Sequence, residues 1–257
     1  IKKTNFGVIT LARQPGCELF ALILNGDAAA CKEQLQPYGI GKVIDVASGE
    51  GALAWNPDQW ARAIIAAMNQ FGITTLCGLT SARGKELLPR VAAYLDAPLV
   101  MDCVDLNLSE RTVKKSQFSG KTIATIQVNG NRFIFGIRPN AIDAKPAPCE
   151  AEVIAFQTDV ESAGLVVKDI KQQDHSGIDL TEADIIISGG RGMEKPENFG
   201  ILFECANVIG AAVGASRAAV DAVDPGRPAL RPGRGRAALE LVAVLEREEG
   251  TRLPQQR

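Results

Sequence analysis

The chain holds 257 residues, 46% of them hydrophobic, enough to bury a real core in one large domain or two smaller ones. A net charge of -2 and an isoelectric point near 5.6 give no electrostatic case for nucleic acid or an anionic membrane, and favour small molecules and proteins as partners. No apolar run reaches the roughly 20 residues that span a bilayer, and the opening Ile-Lys-Lys-Thr has no signal-peptide layout, so a cytoplasmic protein is expected.

From residue 18 short apolar runs alternate with amphipathic stretches. Glu18–Leu24 reads as a strand, and Asp27 is placed to cap a helix through about Gln36 that ends near Gly39. Val43–Val46 gives a second strand. Asn56 is a good N-cap and Pro57 suits a first helical position. Behind them Trp60, Ile64, Ala67 and Met68 recur on one face until Gly72, the period of an amphipathic helix. Thr74–Leu79 is the next strand, followed by a helix over roughly Glu86–Leu95, with Pro89 near its first turn, and a strand at Pro98–Met101. This alternation argues for a parallel sheet covered by helices.

Past Asp102 the texture changes. Lys121–Val128 and Arg132–Ile137, with Asn129-Gly130 between them, read as a β-hairpin, because Asn-Gly is the preferred two-residue turn. A Pro- and Ala-rich loop at Asn140–Glu150 precedes a strand at Ala151–Thr158. The polar stretch around His175 to Asp179 marks a domain boundary. Beyond it, a strand at Asp184–Ile187, a helix over about Glu197–Ile209 and a strand at Ala211–Gly214 make one β-α-β unit. Residues 2–15 fit a strand or a helix on local grounds.

After Ala222 the composition shifts: Val223–Arg257 holds seven arginines and no lysine. So abrupt a change reads as a shift of reading frame, and a non-native or poorly ordered segment is expected, although Ala237–Glu249 has helical composition. Five acids interleave with the arginines and weaken any reading as a basic binding tail. The division predicted is an α/β domain over residues 1–178, a partial second domain over 179–222 and an atypical segment over 223–257.

The six cysteines, Cys17, Cys31, Cys77, Cys103, Cys149 and Cys205, stand singly, with no CxxC pair, which leaves zinc, iron-sulfur and disulfide frameworks without support. One histidine, His175, lies in a polar loop, so Ser-His-Asp hydrolysis and histidine-based metal chemistry are disfavoured.

Two stretches can carry chemistry. Ser188-Gly189-Gly190-Arg191-Gly192 follows a strand and precedes a helix, where glycines let the backbone approach a phosphate. Its spacing is not GxGxxG, and a plain tight turn is the competing reading. Gly214-Ala215-Ser216-Arg217-Ala218-Ala219-Val220-Asp221 follows the next strand. Ligands of open α/β sheets sit beyond the carboxyl ends of the strands, so both stretches would face one crevice, with the Arg217 guanidinium free for a ring carbonyl or phosphate. A solvated surface arginine is the alternative.

Ser188–Gly192, then Glu197-Asn198-Phe199, then Ala211–Asp221 resembles the opening of the FAD domain in electron-transfer flavoprotein alpha subunits. Tyr38-Gly39 before Lys42-Val43, Thr80–Lys85, Pro89–Ala93, Asp102-Cys103, Ser119-Gly120-Lys121 and Ile137-Arg138-Pro139 are similar to that family's N-terminal α/β domain, so the resemblance covers nearly all of residues 1–222. It implies a fold of an N-terminal parallel-sheet α/β domain with a β-hairpin extension, followed by the first β-α-β unit of a doubly wound FAD-binding domain. It also favours a helix at residues 2–15, which would leave the domain's first strand missing.

The resemblance further implies an electron carrier rather than a catalyst with its own substrate. It would be a heterodimer with a beta subunit that binds AMP, and FAD would lie mainly on the alpha subunit. Electrons would pass from acyl-CoA and related dehydrogenases, as in fatty acid beta-oxidation, to a quinone oxidoreductase, in the cytoplasm or, in a eukaryote, the mitochondrial matrix. By motif position the cofactor-binding residues are Arg191, Gly192, Ser216 and Arg217, with Arg217 against the isoalloxazine ring, where a cation stabilises the negative charge that develops on reduction.

One departure bears on this. The family's Gln-Thr-Gly-Lys and Gly-Ile-Ser-Gly-Ala-Ile-Gln-His segments, which hold the flavin, do not appear after Ala222, and weak or no FAD binding is expected. A cofactor-free domain that docks a beta subunit is therefore the alternative. A third reading, an unrelated adenine-nucleotide domain, would use Ser81–Lys85 as its phosphate loop, although the P-loop spacing is lacking.

Overall fold

The structure, a computed structural model, describes residues 1–49, 51–160, 168, 180, 183–216, 218–219 and 241–246. Two compact units emerge: Ile1–Lys168 together with Ala237–Arg257, and Asp169–Arg236.

The first unit opens with helix α1 (Thr4–Ala12), so the helical reading of the opening residues holds. Gly7 lets this helix approach the chain closely, since a Cβ there would sit 2.3 Å from the carbonyl oxygen of Ile142. Strand β1 (Cys17–Ile23) follows, then α2 (Ala28–Leu35), whose N-cap Asp27 accepts hydrogen bonds from the amides of Ala29 and Ala30. A 3-10 turn closes α2 at Gly39, where φ is +98°. Next come β2 (Lys42–Ser48), the short β3 (Gly51–Ala52) and α3 (Pro57–Gln70), capped by the Asn56 side chain as expected. Trp60, Ile64, Ala67 and Met68 are all buried, the face that the helical period predicts.

Strand β4 (Thr75–Leu79) leads into α4 (Ala82–Leu95), which starts four residues earlier than the sequence suggests because Ser81 is its N-cap. Pro89 consequently lies inside this helix and not in its first turn. The remaining strands of the unit are β5 (Leu99–Asn107), β6 (Thr112–Gln117), β7 (Thr122–Gln127), β8 (Phe133–Ile137) and β9 (Glu152–Gln157).

The hairpin expected across Asn129-Gly130 does not form. Strand β7 pairs with β6, and β8 instead enters the sheet between β4 and β5, parallel to both. Burial explains the partition. All five residues of β8 are buried, which suits a central strand, whereas β7 alternates exposed and half-buried positions and suits an edge. The hairpin extension is thus β6–β7, turned by Phe118, Ser119 and Gly120, all three at positive φ.

With Leu241–Glu246 as β12, the sheet runs β3-β2-β1-β12-β4-β8-β5-β6-β7, with β9 also parallel to β2. Strand β12 (Leu241–Glu246) is antiparallel to both β1 and β4 and separates them. A strand therefore stands where helical composition was noted. Residues 1–16 contain no strand, as the resemblance implied, and the position between β1 and β4 belongs to β12.

Two apolar clusters cover the two faces of this sheet. One gathers Val8, Ile9 and Leu11 of α1 with Leu19, Ala21, Ile23, Cys77, Leu79, Phe133 and Phe135. The other gathers Phe20, Leu22, Ile44, Leu76 and Ile134 with α3 and α4 residues such as Trp60, Ile64, Leu87 and Val91. Each fully buried aliphatic or aromatic side chain contributes about 1.5–3 kcal/mol, and these clusters are the main source of the unit's stability.

The second unit contains β10 (Ile186–Gly189), α5 (Gly200–Ile209) and β11 (Ala212–Ala215). The two strands are parallel and make a two-stranded sheet, so the predicted β-α-β connection is present.

Candidate functional site

The carboxyl ends of β10 and β11 lie side by side, with Ser188 opposite Gly214 and Gly189 opposite Ala215. The amide of Ser216 donates to the carbonyl of Gly189 at 2.9 Å and ties the two turns together. This pairing brings the Arg191-Gly192 stretch and Ser216 to the same edge of the sheet. Arg191, Gly192 and Ser216 are exposed. Arg217 lies outside the described residues, as does His175.

The glycines of the first turn divide by role. A Cβ on Gly189 would meet the Phe199 ring at 2.5 Å, so this glycine serves packing of the turn on the helix behind it. Nothing lies within 4 Å of a Cβ added at Gly190 or Gly192, and no positive φ requires glycine at either. Their small size leaves open backbone at the strand end, which is what an anion approaching main-chain amides needs. The turn is stiffened by bonds from the amides of Met193 and Glu194 to the carbonyls of Gly190 and Arg191, and by Asn198 Nδ2 donating to the carbonyl of Met193 at 2.7 Å. At the second strand end the Ser216 hydroxyl accepts from the amide of Ala219 at 3.3 Å, a capping contact at the start of the following turn.

These residues form an exposed, glycine-rich edge with the donors and open backbone that an anionic ligand needs. Gly190, Gly192 and the adjacent Ser216 leave room for the phosphate part of a dinucleotide. Ile186 is 48% exposed, Ile201 67% and Val208 86%, so apolar side chains of this unit reach its surface.

In the first unit the Ser81–Lys85 stretch has a structural explanation. The Ser81 hydroxyl accepts from the Gly84 amide at 3.0 Å as the cap of α4, and the Arg83 guanidinium lies 4.9 Å from the centroid of Trp55. Gly84 is required by packing, because a Cβ would fall 1.9 Å from the carbonyl oxygen of Leu79. This stretch is a tight strand-to-helix connection.

A polar cluster that sequence reasoning did not single out as a unit lies just past the ends of β4 and β8, against Asp102 within β5. Arg138 binds both carboxylate oxygens of Asp102, and the Asp102 amide donates to Thr80 Oγ1 at 3.3 Å. The guanidinium holds the Asp102 carboxyl below the ordinary aspartate range. The signal was available as an arginine directly after a fully buried strand. No group of His, Cys, Asp or Glu suited to a metal ion occurs among the described residues.

Together these features define an α/β protein of the doubly wound class, with a glycine-lined edge where two parallel strands end. Residues 1–161 match the electron transfer flavoprotein domain, and residues 179–225 match the electron transfer flavoprotein FAD-binding domain. The chain belongs to the electron transfer flavoprotein alpha subunit family. It is 32% identical over 218 residues to an electron transfer flavoprotein subunit alpha of Pseudomonas aeruginosa, covering 83% of this chain and 69% of that protein. It is 30% identical over 210 residues to the Bacillus subtilis protein of that name, covering 80% and 64%. A probable mitochondrial electron transfer flavoprotein subunit alpha of Caenorhabditis elegans is 28% identical over 217 residues, covering 83% and 64%. The chain thus spans about two thirds of the length of these curated relatives.

Proposed function

We propose that this chain acts as the alpha-type component of an electron carrier that docks a beta subunit, and that its own share of the FAD site is one wall rather than a pocket. The observation that carries this reading is the contrast between its two units. The first has a many-stranded sheet with apolar clusters on both faces, whereas the second has, among the described residues, two strands and exposed isoleucines.

In the carrier reading FAD brings the redox chemistry, and the residues of this chain bind and orient it. Open backbone at Gly190 and Gly192 receives the phosphates, the Ser216 hydroxyl lies at the neighbouring strand end, and Arg191 and Arg217 supply positive charge. Electrons come from acyl-CoA or related dehydrogenases and go to a quinone oxidoreductase. AMP sits in the beta subunit, and the setting is the cytoplasm or a mitochondrial matrix. Among the described residues no helix is long and apolar enough to cross a membrane. A division into residues 1–178, 179–222 and 223–257 accompanies this reading.

The alternative is a domain that docks a beta subunit without cofactor. The β6–β7 hairpin favours it, because Phe118 is 75% and Ile123 65% exposed at the free edge of the sheet. A visible spectrum of the chain purified with a coexpressed beta subunit tests the two readings. Weak or absent bands near about 380 and 450 nm, with an intact heterodimer, are expected for one wall of a flavin site. Stoichiometric flavin would refute the incomplete site.

A further inference from the structure

The turn that carries Arg191 and Gly192 holds one residue in a rare conformation. Glu194 has φ of +58° and ψ of -46°, and across it the amide of Lys195 donates to the carbonyl of Met193 at 2.6 Å. This is a three-residue γ-turn of the strained kind, and such strain persists only where neighbouring contacts hold it. The holding contact comes from Asn198. Its Nδ2 donates to the same Met193 carbonyl at 2.7 Å, so one oxygen accepts two bonds. Asn198 is itself fixed, because its amide donates to the carbonyl of Lys195 at 3.2 Å and its neighbour Phe199, 2% exposed, packs where a Cβ on Gly189 would fall. The loop that leaves β10 is therefore pinned at Gly189 by Phe199 and at Met193 by Asn198.

We propose, on the reading of this edge as part of a FAD site, that Asn198 is a positioning residue: by holding the Glu194 γ-turn it presets the backbone of Gly190 and Gly192 for the diphosphate of a dinucleotide. The whole loop lies in the stretch that matches the FAD-binding domain. Gly190 and Gly192 have no side chain to steer them and open space where one would stand, so their orientation is set by the rest of the loop. The peptide between Met193 and Glu194 transmits the setting. It is planar, so fixing its oxygen through Asn198 also fixes its N–H, which donates to the carbonyl of Arg191 at 3.1 Å. The Met193 amide on the other side donates to the carbonyl of Gly190 at 3.0 Å. A loop ordered before the ligand arrives loses less freedom on binding, which is how a residue that touches no ligand raises affinity.

The test uses the full chain with ADP as probe, which carries a diphosphate without the flavin, and reads affinity from the amide NMR shifts of Gly190 and Gly192 beside a thermal melt. Asn198→Ala should weaken ADP binding about tenfold, the equivalent of about one hydrogen bond. Asn198→Asp, which keeps the shape and loses the donor, should do the same. Glu194→Gly in the Asn198→Ala background should restore most of the affinity, because glycine adopts a positive φ without the clamp. Glu194→Gln in that background removes the same charge, keeps the Cβ and should restore none. Unchanged affinity in both Asn198 variants, or a glycine that restores no more than glutamine does, overturns the positioning role while leaving the cofactor edge in place. A wild-type chain whose Gly190 and Gly192 amides do not respond to ADP sinks the reading of the edge itself, and the role of Asn198 with it.

Discussion

Arg138 grips Asp102 with both arms of its guanidinium, Nε at 3.1 Å from one carboxylate oxygen and Nη2 at 2.5 Å from the other. The bond joins β8 to β5 at a point where Asp102 has φ of +67°, a conformation unusual for any residue but glycine. Both side chains are more than a third exposed, which screens the pair. Arg138→Ala should therefore cost about 1 kcal/mol at neutral pH. The Asp102 pKa lies below its unfolded value in the native state, so its contribution is present above the ordinary value of 3.8 and fades as pH falls through the depressed one. Urea unfolding of the two proteins should differ at pH 7 and converge in acid.

Gly84→Ala is expected to be severely destabilising, by about 3 kcal/mol or more, because backbone oxygen occupies the space that its Cβ needs. Thermal unfolding of the variant reads this directly.

Gly192→Ala should leave stability within about 0.5 kcal/mol, since nothing surrounds the added methyl. Any dinucleotide affinity of the chain should fall, because the methyl stands where a phosphate would approach. Circular dichroism melting beside a fluorescence titration with FAD separates the two effects.

Tyr94→Phe should raise the pKa of Asp58. The Tyr94 hydroxyl donates to Asp58 and is the largest cause of that carboxyl's depressed value, ahead of Arg62 at 3.1 Å. Carboxyl-detected NMR titration of Asp58 should shift toward 3.8, the ordinary value, and no shift would contradict the bond.

Thiol labelling should distinguish five of the six cysteines by position. Cys149 and Cys205 are exposed and should alkylate first in the native state. Burial pushes the Cys103 thiol up to about 12 and raises those of Cys31 and Cys77, so these three should react only after unfolding. Peptide mapping after timed iodoacetamide treatment gives the order.

Local chemistry was legible in the sequence wherever it was self-contained. Asp27 and Asn56 announce their helices because a cap acts within three residues, and the buried face of α3 is written in its own period. Pairing was less legible. Asn129-Gly130 satisfies the local preference for a hairpin, yet Phe133–Ile137 is apolar throughout and gains more by entering the sheet centre, so tertiary burial overrides the turn. The segment at 241–246 combines helical composition with strand-forming valines, and its pairing with β1 and β4 decides between them. At the candidate site the glycine turns could be placed from sequence. The distinction between Gly189, needed for packing, and Gly192, facing open space, required three dimensions.

The pairing of Cys17 with Glu246 has a consequence for biosynthesis. A ribosome releases residues 17–23 and 75–79 long before 241–246, so the nascent first unit carries two unpaired strand edges while the intervening segment is still being made. Such edges are sticky, and pairing partners so distant in sequence close slowly. Yield of the folded protein should accordingly depend on chaperone supply during translation more than on growth temperature after it.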